Sequence, residues 1–209
     1  MRNSVPRPSV AIVSCHVEQP LQDAAWARFD ALQARRPGGF QVIALMRPPD
    51  SDFGEDERLW LERARVAAQR APFGLHTHWT SPTHARPTGG VPAERVRREA
   101  EWLRSQELSP ELFCGGGWYT DDDLRATVRD LGLVDCTERN GVPGSGVLPT
   151  THSLGQLARS VTGRLPGYVH AYFHDYDLLE PRRRVALLVA LEILARRRRP
   201  GDPLALARE

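Results

Sequence analysis

Short apolar runs alternate with helical patterns along this sequence, and that alternation constrains the fold more than any other feature. The runs at Ser9–Ser14, Phe40–Met46, Pro72–His78, Glu111–Cys114, Leu133–Cys136, Val147–Thr150 and Tyr168–Phe173 read as buried strands. Between them, residues 21–36, the stretch after the loop Arg47–Gly54 to about Arg70, Pro92–Gln106, Thr120–Leu131 and Ser153–Val161 read as helices, and a last helix covers 181–198. The first helix carries Leu21, Ala24, Ala25, Phe29 and Leu32 at helical spacing, and Pro37-Gly38-Gly39 stops it. Pro92 suits the first turn of its helix. Strands joined by helices make parallel βαβ units, because a parallel neighbour is reached only by a long crossover. Six or seven such units fit an α/β fold of the (β/α) barrel type, with a doubly wound open sheet as the competing arrangement. No repeat, linker or composition break separates a second domain, so residues 1–209 read as one.

Composition removes several function classes. All 28 basic residues are arginine, which excludes Schiff-base and P-loop lysine chemistry. A formal charge of +2 falls short of the basic footprint of nucleic-acid binders, so no nucleic-acid partner is expected. Cys15, Cys114 and Cys136 are odd in number and form no CxxC, which argues against a disulfide framework or a structural zinc site. No apolar run approaches the roughly 18 residues of a membrane span. The opening Met1–Pro8 has no apolar stretch and Val10–Val13 is too short for a signal peptide, so a cytoplasmic protein is expected.

Parallel α/β folds place their sites at the carboxyl ends of the strands. Six of the seven histidines, His16, His76, His78, His84, His152 and His174, fall at such ends or just beyond, while His170 lies mid-strand. His76-Thr77-His78 is a His-x-His on a strand, and a spacing of two puts both imidazoles on one face, able to share an ion. The alternative is a hydrogen-bonded pair at a barrel mouth. His84 either reaches back as a third ligand or lies exposed, and Glu18 either completes the set or is a surface carboxylate. His174-Asp175 closes an apolar strand with a polar pair, which suits a catalytic role. Trp118 and Tyr119, after Gly115-Gly116-Gly117, read as a sugar-stacking platform or as core. Cys114 and Cys136 are weak nucleophile candidates. The run Arg196–Arg199 reads as cations on a helix C-terminus, worth about 0.3–1 kcal/mol, or as a contact for anionic lipid or polyphosphate.

At these residues the chain resembles the polysaccharide deacetylase (NodB-homology, carbohydrate esterase family 4) superfamily from about Val10 to the final helix. Gly74-Leu75-His76-Thr77-His78 is similar to that family's second motif, a metal-binding His followed by Ser or Thr. Phe113–Tyr119 and Leu133-Val134-Asp135-Cys136 resemble the third and fourth motifs, and Val169–Asp175 the fifth, whose histidine is the general acid. The resemblance implies a distorted (β/α) barrel in a single domain. The first motif departs: His16, in Ser14-Cys15-His16-Val17-Glu18, stands where the family has its catalytic Asp. Cys114 replaces the arginine that would orient that Asp, and Thr80 replaces the second metal histidine.

Together these readings imply a metal-dependent deacetylase with a rewired site. Glu18, His76 and one of His78 or His84 would hold a divalent metal ion, zinc before cobalt, nickel or iron. His16 would act as base, and His174, oriented by Asp175 or Asp177, as acid; Trp118, Tyr119 and Asp135 would contact substrate. The substrate would be a small-molecule, lipid-linked or nucleotide-linked N-acetyl sugar. Two other readings compete: a catalytically silent NodB-like domain that binds carbohydrate or a partner protein, and a PHP-type phosphoesterase, which expects its His-x-His on the first strand.

Overall fold

A computed structural model describes residues 9–209; Met1–Pro8, on which part of the expectation of no leader rests, lies outside the described residues. Among the described residues, eight parallel strands form one sheet: β1 (Val10–Val17), β2 (Val42–Met46), β3 (Phe73–Thr77), β4 (Leu112–Gly115), β5 (Val134–Asp135), β6 (His152–Ser153), β7 (Tyr168–His174) and β8 (Arg199–Pro200). Their order is β5-β4-β3-β2-β1-β7-β6, with β8 beside the first residues of β1. Helices α1 (Asp23–Arg35), α2 (Glu57–Arg70), α3 (Pro92–Ser105), α4 (Asp122–Asp130), α5 (Leu154–Ser160) and α6 (Pro181–Ala195) lie in the connections, and α7 (Pro203–Arg208) ends the chain.

The two ends of the sheet are joined. Asp135 N–H donates to Gly146 O and Leu148 N–H to Asp135 O, both at 2.8 Å, while Thr151 N–H donates to His170 O at 2.9 Å. Residues 146–151 therefore bridge β5 to β7, and the sheet is a distorted barrel rather than a doubly wound open sheet. Val147–Thr150, expected as a full strand, makes only isolated bridges. Among the described residues, the crossover from β5 to β6 carries no helix.

Alternation along the strands sorts side chains into two layers. Ala11, Val13, Cys15 and Val17 of β1 join Val42, Ala44, Met46, Leu75, Phe113 and Phe173 in the core between sheet and helices. The opposite faces fill the lumen: Ile12, Ile43, Leu45, Leu112, Cys136 and Leu148 pack together, with Leu204 and Leu206 of α7 against them. Ser14 and His170 sit among these inward positions, fully buried, with His170 Nε2 and Ser14 Oγ 2.9 Å apart. His170 Nδ1 faces Leu148 O at 3.2 Å and therefore carries the proton, so Ser14 donates to Nε2. The expected strand-face histidine is a polar tie across the lumen.

Gly74 lets β3 lie close to β4: a Cβ there would stand 2.4 Å from Leu112 O. Gly74→Ala is expected to cost about 1–3 kcal/mol, the usual penalty for overpacking, read as a lowered urea midpoint. An unchanged midpoint would contradict this packing.

The chain's end differs from expectation. The helix expected over 181–198 stops at Ala195, a further helix, α7, follows, and the arginines after Ala195 grip a neighbouring loop. Arg197 donates to Val161 O, and Arg198 donates to Leu165 O at 2.7 Å and Pro166 O at 2.9 Å. Two arginines of the run are thus held by carbonyls of residues 161–166. Among the described residues, no helix is long and apolar enough to cross a membrane.

Candidate functional site

The inward positions at the carboxyl ends of β1, β3, β4 and β7 converge. β1 runs on to Val17, so His16 lies within the strand instead of after it and points into the lumen with Ser14. β3 ends at Thr77, one residue before His78, and His76 pairs in register with Cys114 of β4. His16 and His174 are likewise partners across β1 and β7. The family resemblance aside, this is what strand periodicity demands: residues two apart share a face, and adjacent parallel strands keep their ends level.

Glu18 is the hub. Its Oε1 lies 3.2 Å from His76 Nε2, 3.5 Å from His78 Nε2 and 3.6 Å from His174 Nε2. Burial pushes this carboxyl up, so it is held well below the usual range only by donors or positive charge aimed at it. The far nitrogens of those histidines are committed. His76 Nδ1 faces Cys114 O at 3.1 Å and His78 Nδ1 faces Pro82 O at 2.9 Å. A carbonyl only accepts, so both Nδ1 atoms carry the proton and a neutral ring turns its Nε2 lone pair toward Glu18. Burial lowers the pKa of His76, which favours that neutral form. Two lone pairs and a carboxylate then face one another with no proton between them. A cation resolves that arrangement, and oxygen plus imidazole donors suit a divalent transition metal. The Glu18, His76 and His78 donor atoms all lie within 4.8 Å of one another.

His16 is 2% exposed, and its Nε2 is buried without a hydrogen-bond partner. Its ring stacks on Tyr172 at 5.2 Å and lies 4.4 Å from the His76 ring. Burial first, then the neighbouring His76 and His174, lowers its pKa well below 6.5. Burial thus favours the uncharged ring, an environment that works against the expected role of His16 as general base.

His174 is half-buried and better placed for proton transfer. Its Nδ1 lies 3.6 Å from Asp177 Oδ2, its backbone N–H donates to that oxygen at 3.0 Å, and its ring stacks on Tyr176. Arg183 donates to Asp177 Oδ1 at 2.6 Å. Burial raises the Asp177 pKa, yet His174 and Arg183 bring it below the ordinary carboxyl value. Asp177, not Asp175, is the residue beside the imidazole.

Asp175 turns the other way. It accepts the backbone N–H groups of Glu18 at 3.2 Å, Gln19 at 2.8 Å and Tyr176 at 2.9 Å, bracing the segment that carries Glu18. Burial raises its pKa to about 6 against those donors. An amide can accept at only one of the two oxygen positions and sets a donor against a donor at the other. Asp175→Asn is therefore expected to cost about 2 kcal/mol in urea unfolding and to weaken divalent-metal affinity roughly ten- to a hundredfold. Unchanged affinity would remove Asp175 from the support of the site.

Four residues singled out from sequence stand apart from this cluster. His84 is exposed, in a turn where its N–H and C=O bond Ser81 and Thr80, and it belongs to no cluster of potential ligands. Tyr119 leaves the mouth: its hydroxyl donates to Asp121 at 2.5 Å and its ring packs edge-on against Trp79. Asp135 caps Thr137 N–H at 2.8 Å and lines an outer groove of about 680 Å³ with Arg125 and Arg208, beside the crossover without a helix. His152 bonds Thr151 Oγ1 and joins no cluster.

Trp118 does reach the site, with its ring 5.4 Å from His16 and 4.8 Å from Tyr172. It adopts φ +61°, a left-handed conformation costly for a bulky side chain. The Arg139 guanidinium lies 5.2 Å above its ring. Tyr172, Tyr176 and Arg183 were not singled out from sequence; counting in twos back from His174 along β7 finds Tyr172.

No family model and no curated protein matches the sequence. Solved structures do match. A family 4 carbohydrate esterase (CE4) pseudoenzyme from Bacillus anthracis is 10% identical, with a TM-score of 0.65 over 97% of this chain and 66% of that one. A mutant CE4 pseudoenzyme with restored enzymatic activity is 9% identical, with a TM-score of 0.65 over 97% of this chain and 69% of that one. A family 4 carbohydrate esterase from Streptomyces lividans, in complex with acetate, is 14% identical, with a TM-score of 0.51 over 90% and 86% of the two chains. This chain thus spans about two thirds of the length of the two pseudoenzyme chains. Barrel topology, the strand-end histidines and these likenesses agree: the protein has the fold of the family 4 carbohydrate esterases, a distorted (β/α) barrel of the polysaccharide deacetylase type.

Proposed function

We propose that the protein is a metal-dependent hydrolase that removes the acetyl group from an N-acetylated sugar or sugar conjugate. The observation that carries this reading is the pair of imidazoles, His76 and His78, whose proton-free Nε2 atoms face the Glu18 carboxylate. These three residues would hold the divalent ion, zinc by donor type. When bound, such an ion supplies Lewis acidity toward an amide carbonyl.

The chain's own groups supply the rest. His174, steadied by Asp177 and Arg183, takes the proton from the attacking water and returns it to the departing amine nitrogen. His16 stays neutral and packs the base of the site between Tyr172 and His76. Trp118 and Tyr172 offer ring faces and edges at the mouth, the surface a sugar ring uses. The adjoining cavity of about 340 Å³, lined by Ser153, His174 and Arg183, gives room for the remainder of a small-molecule, lipid-linked or nucleotide-linked substrate.

One second reading has an observation of its own. His16, standing at the family's catalytic-Asp position, is a weak base, which favours a silent domain that binds carbohydrate or a partner protein. A phosphoesterase of PHP type is disfavoured because the His-x-His starts on β3. The test is acetate release from a panel of N-acetyl sugars and their nucleotide and lipid conjugates by zinc- or cobalt-loaded protein. Release that is lost with chelator and restored by metal supports the hydrolase; saturable sugar binding without release supports the silent domain.

A further inference from the structure

The donor atoms at the mouth form more than one group. A ring nitrogen of His16, a ring nitrogen of His76 and Cys114 Sγ also lie within 4.8 Å of one another, and all three side chains are buried. This group lies deeper than Glu18, whose side chain is 20% exposed against 3% for His76. We infer that His16, His76 and Cys114 form a deeper, thiolate-containing donor set that shares the His76 nitrogen with the Glu18 set, so that the one divalent ion held there, of borderline softness, has Cys114 as a ligand. The inference rests on the metal centre proposed above and extends it to a residue with a sulfur donor.

Several observations converge on it. His16 Nε2 is a buried nitrogen with no hydrogen-bond partner, a costly condition that ligation would end. Cys114 Sγ has weak partners, Gly115 O at 3.9 Å and the Thr137 side chain, so little competes for the sulfur. His16 and Cys114 are brought together through His76: the His16 and His76 rings are 4.4 Å apart, and His76 is the register partner of Cys114. The other two thiols are elsewhere. Cys15 faces the helix-side core and Cys136 packs in the lumen, and neither belongs to a donor group. Burial pushes the Cys114 thiol pKa well up, so without a cation the residue is inert packing. On binding, the sulfur–metal bond forms, the S–H bond breaks and the proton leaves to solvent. A set of two imidazoles and a thiolate selects zinc or cobalt and rejects magnesium and calcium.

The experiment uses the full chain, reduced with a phosphine and titrated with cobalt(II) alone. Visible d–d absorption reports that the ion is bound, and a near-ultraviolet charge-transfer band reports a thiolate ligand. The expected result is both bands in the wild type, with the near-ultraviolet band lost in Cys114→Ser and kept in Cys136→Ser. X-ray absorption of zinc-loaded wild type needs no variant, so it decides the matter even if Cys114→Ser fails to fold; a sulfur neighbour at about 2.3 Å is expected. Visible bands without the near-ultraviolet one, or a zinc shell of nitrogen and oxygen only, would overturn the thiolate ligand and leave the Glu18 centre standing. A near-ultraviolet band that survives in Cys114→Ser would also overturn it. Protein that retains neither cobalt nor zinc would reject both donor sets.

Discussion

Replacing His76 with alanine is expected to strip the protein of bound zinc and to lower acetate release by roughly a thousandfold, equivalent to about 4 kcal/mol of transition-state stabilisation. Like Glu18 and His16, His76 belongs to two of the three donor groups at the mouth, the third being His16, Glu18 and His174. It is also the most firmly aimed: its Nδ1–H is tied to Cys114 O on the adjacent strand, and its ring is 2% exposed. Removing it leaves Glu18 with His78 at 3.5 Å and the half-buried His174 at 3.6 Å, without the most buried imidazole of the three. The check is elemental analysis of untagged protein beside His84→Ala, which should keep its metal because His84 is exposed and joins no donor group. Full zinc occupancy in His76→Ala would defeat the metal centre.

The second large effect concerns acid. His170 is fully buried and its pKa is lowered to about 4 by burial, which outweighs the carbonyls of Leu148 and Pro149. An unfolded histidine titrates near 6.5. Between those values the unfolded chain binds the extra proton and the folded one does not, so stability falls as pH drops from 6.5 to 4. His170 alone accounts for about 3 kcal/mol of that loss. The contribution is complete above 6.5, where both states are neutral. Urea unfolding of wild type and His170→Asn at pH 7 and pH 4 isolates it: the wild type should lose about 3 kcal/mol more than the variant. Equal losses would mean that His170 is hydrated or already paired with a proton.

The parallel α/β class was legible because strand and helix periods differ and each apolar run was short enough to be a strand, whereas the barrel followed only from the family resemblance. Part of the site was legible too: the His-x-His spacing put His76 and His78 on one face, and His16 and His174 were read at strand ends. Long-range partners were not. Whether a carboxylate faces an imidazole or a backbone amide depends on where the chain turns after β7, so the sequence left Asp175 and Asp177 as alternatives beside His174. Tyr119 follows a left-handed Trp118, and one such residue sends consecutive aromatic rings to opposite sides. Asp135 lies on a two-residue strand at the barrel's irregular seam, where alternation is too short to indicate a face. The short β8 and α7 carry no periodic signal. They are fixed by what they cover, with Gly201 N–H on Ala11 O and Leu204 and Leu206 beneath the lumen.

That plugged lumen has a kinetic meaning. Below the histidines lie the tie between Ser14 and His170, then Ile12, Ile43, Leu112 and Leu148, then α7. A reaction at the mouth therefore has a single door, and whatever leaves must pass through the space the next molecule needs to enter. For the hydrolase proposed here, the released amino sugar should compete directly with substrate, and turnover should be paced by its departure as much as by bond cleavage.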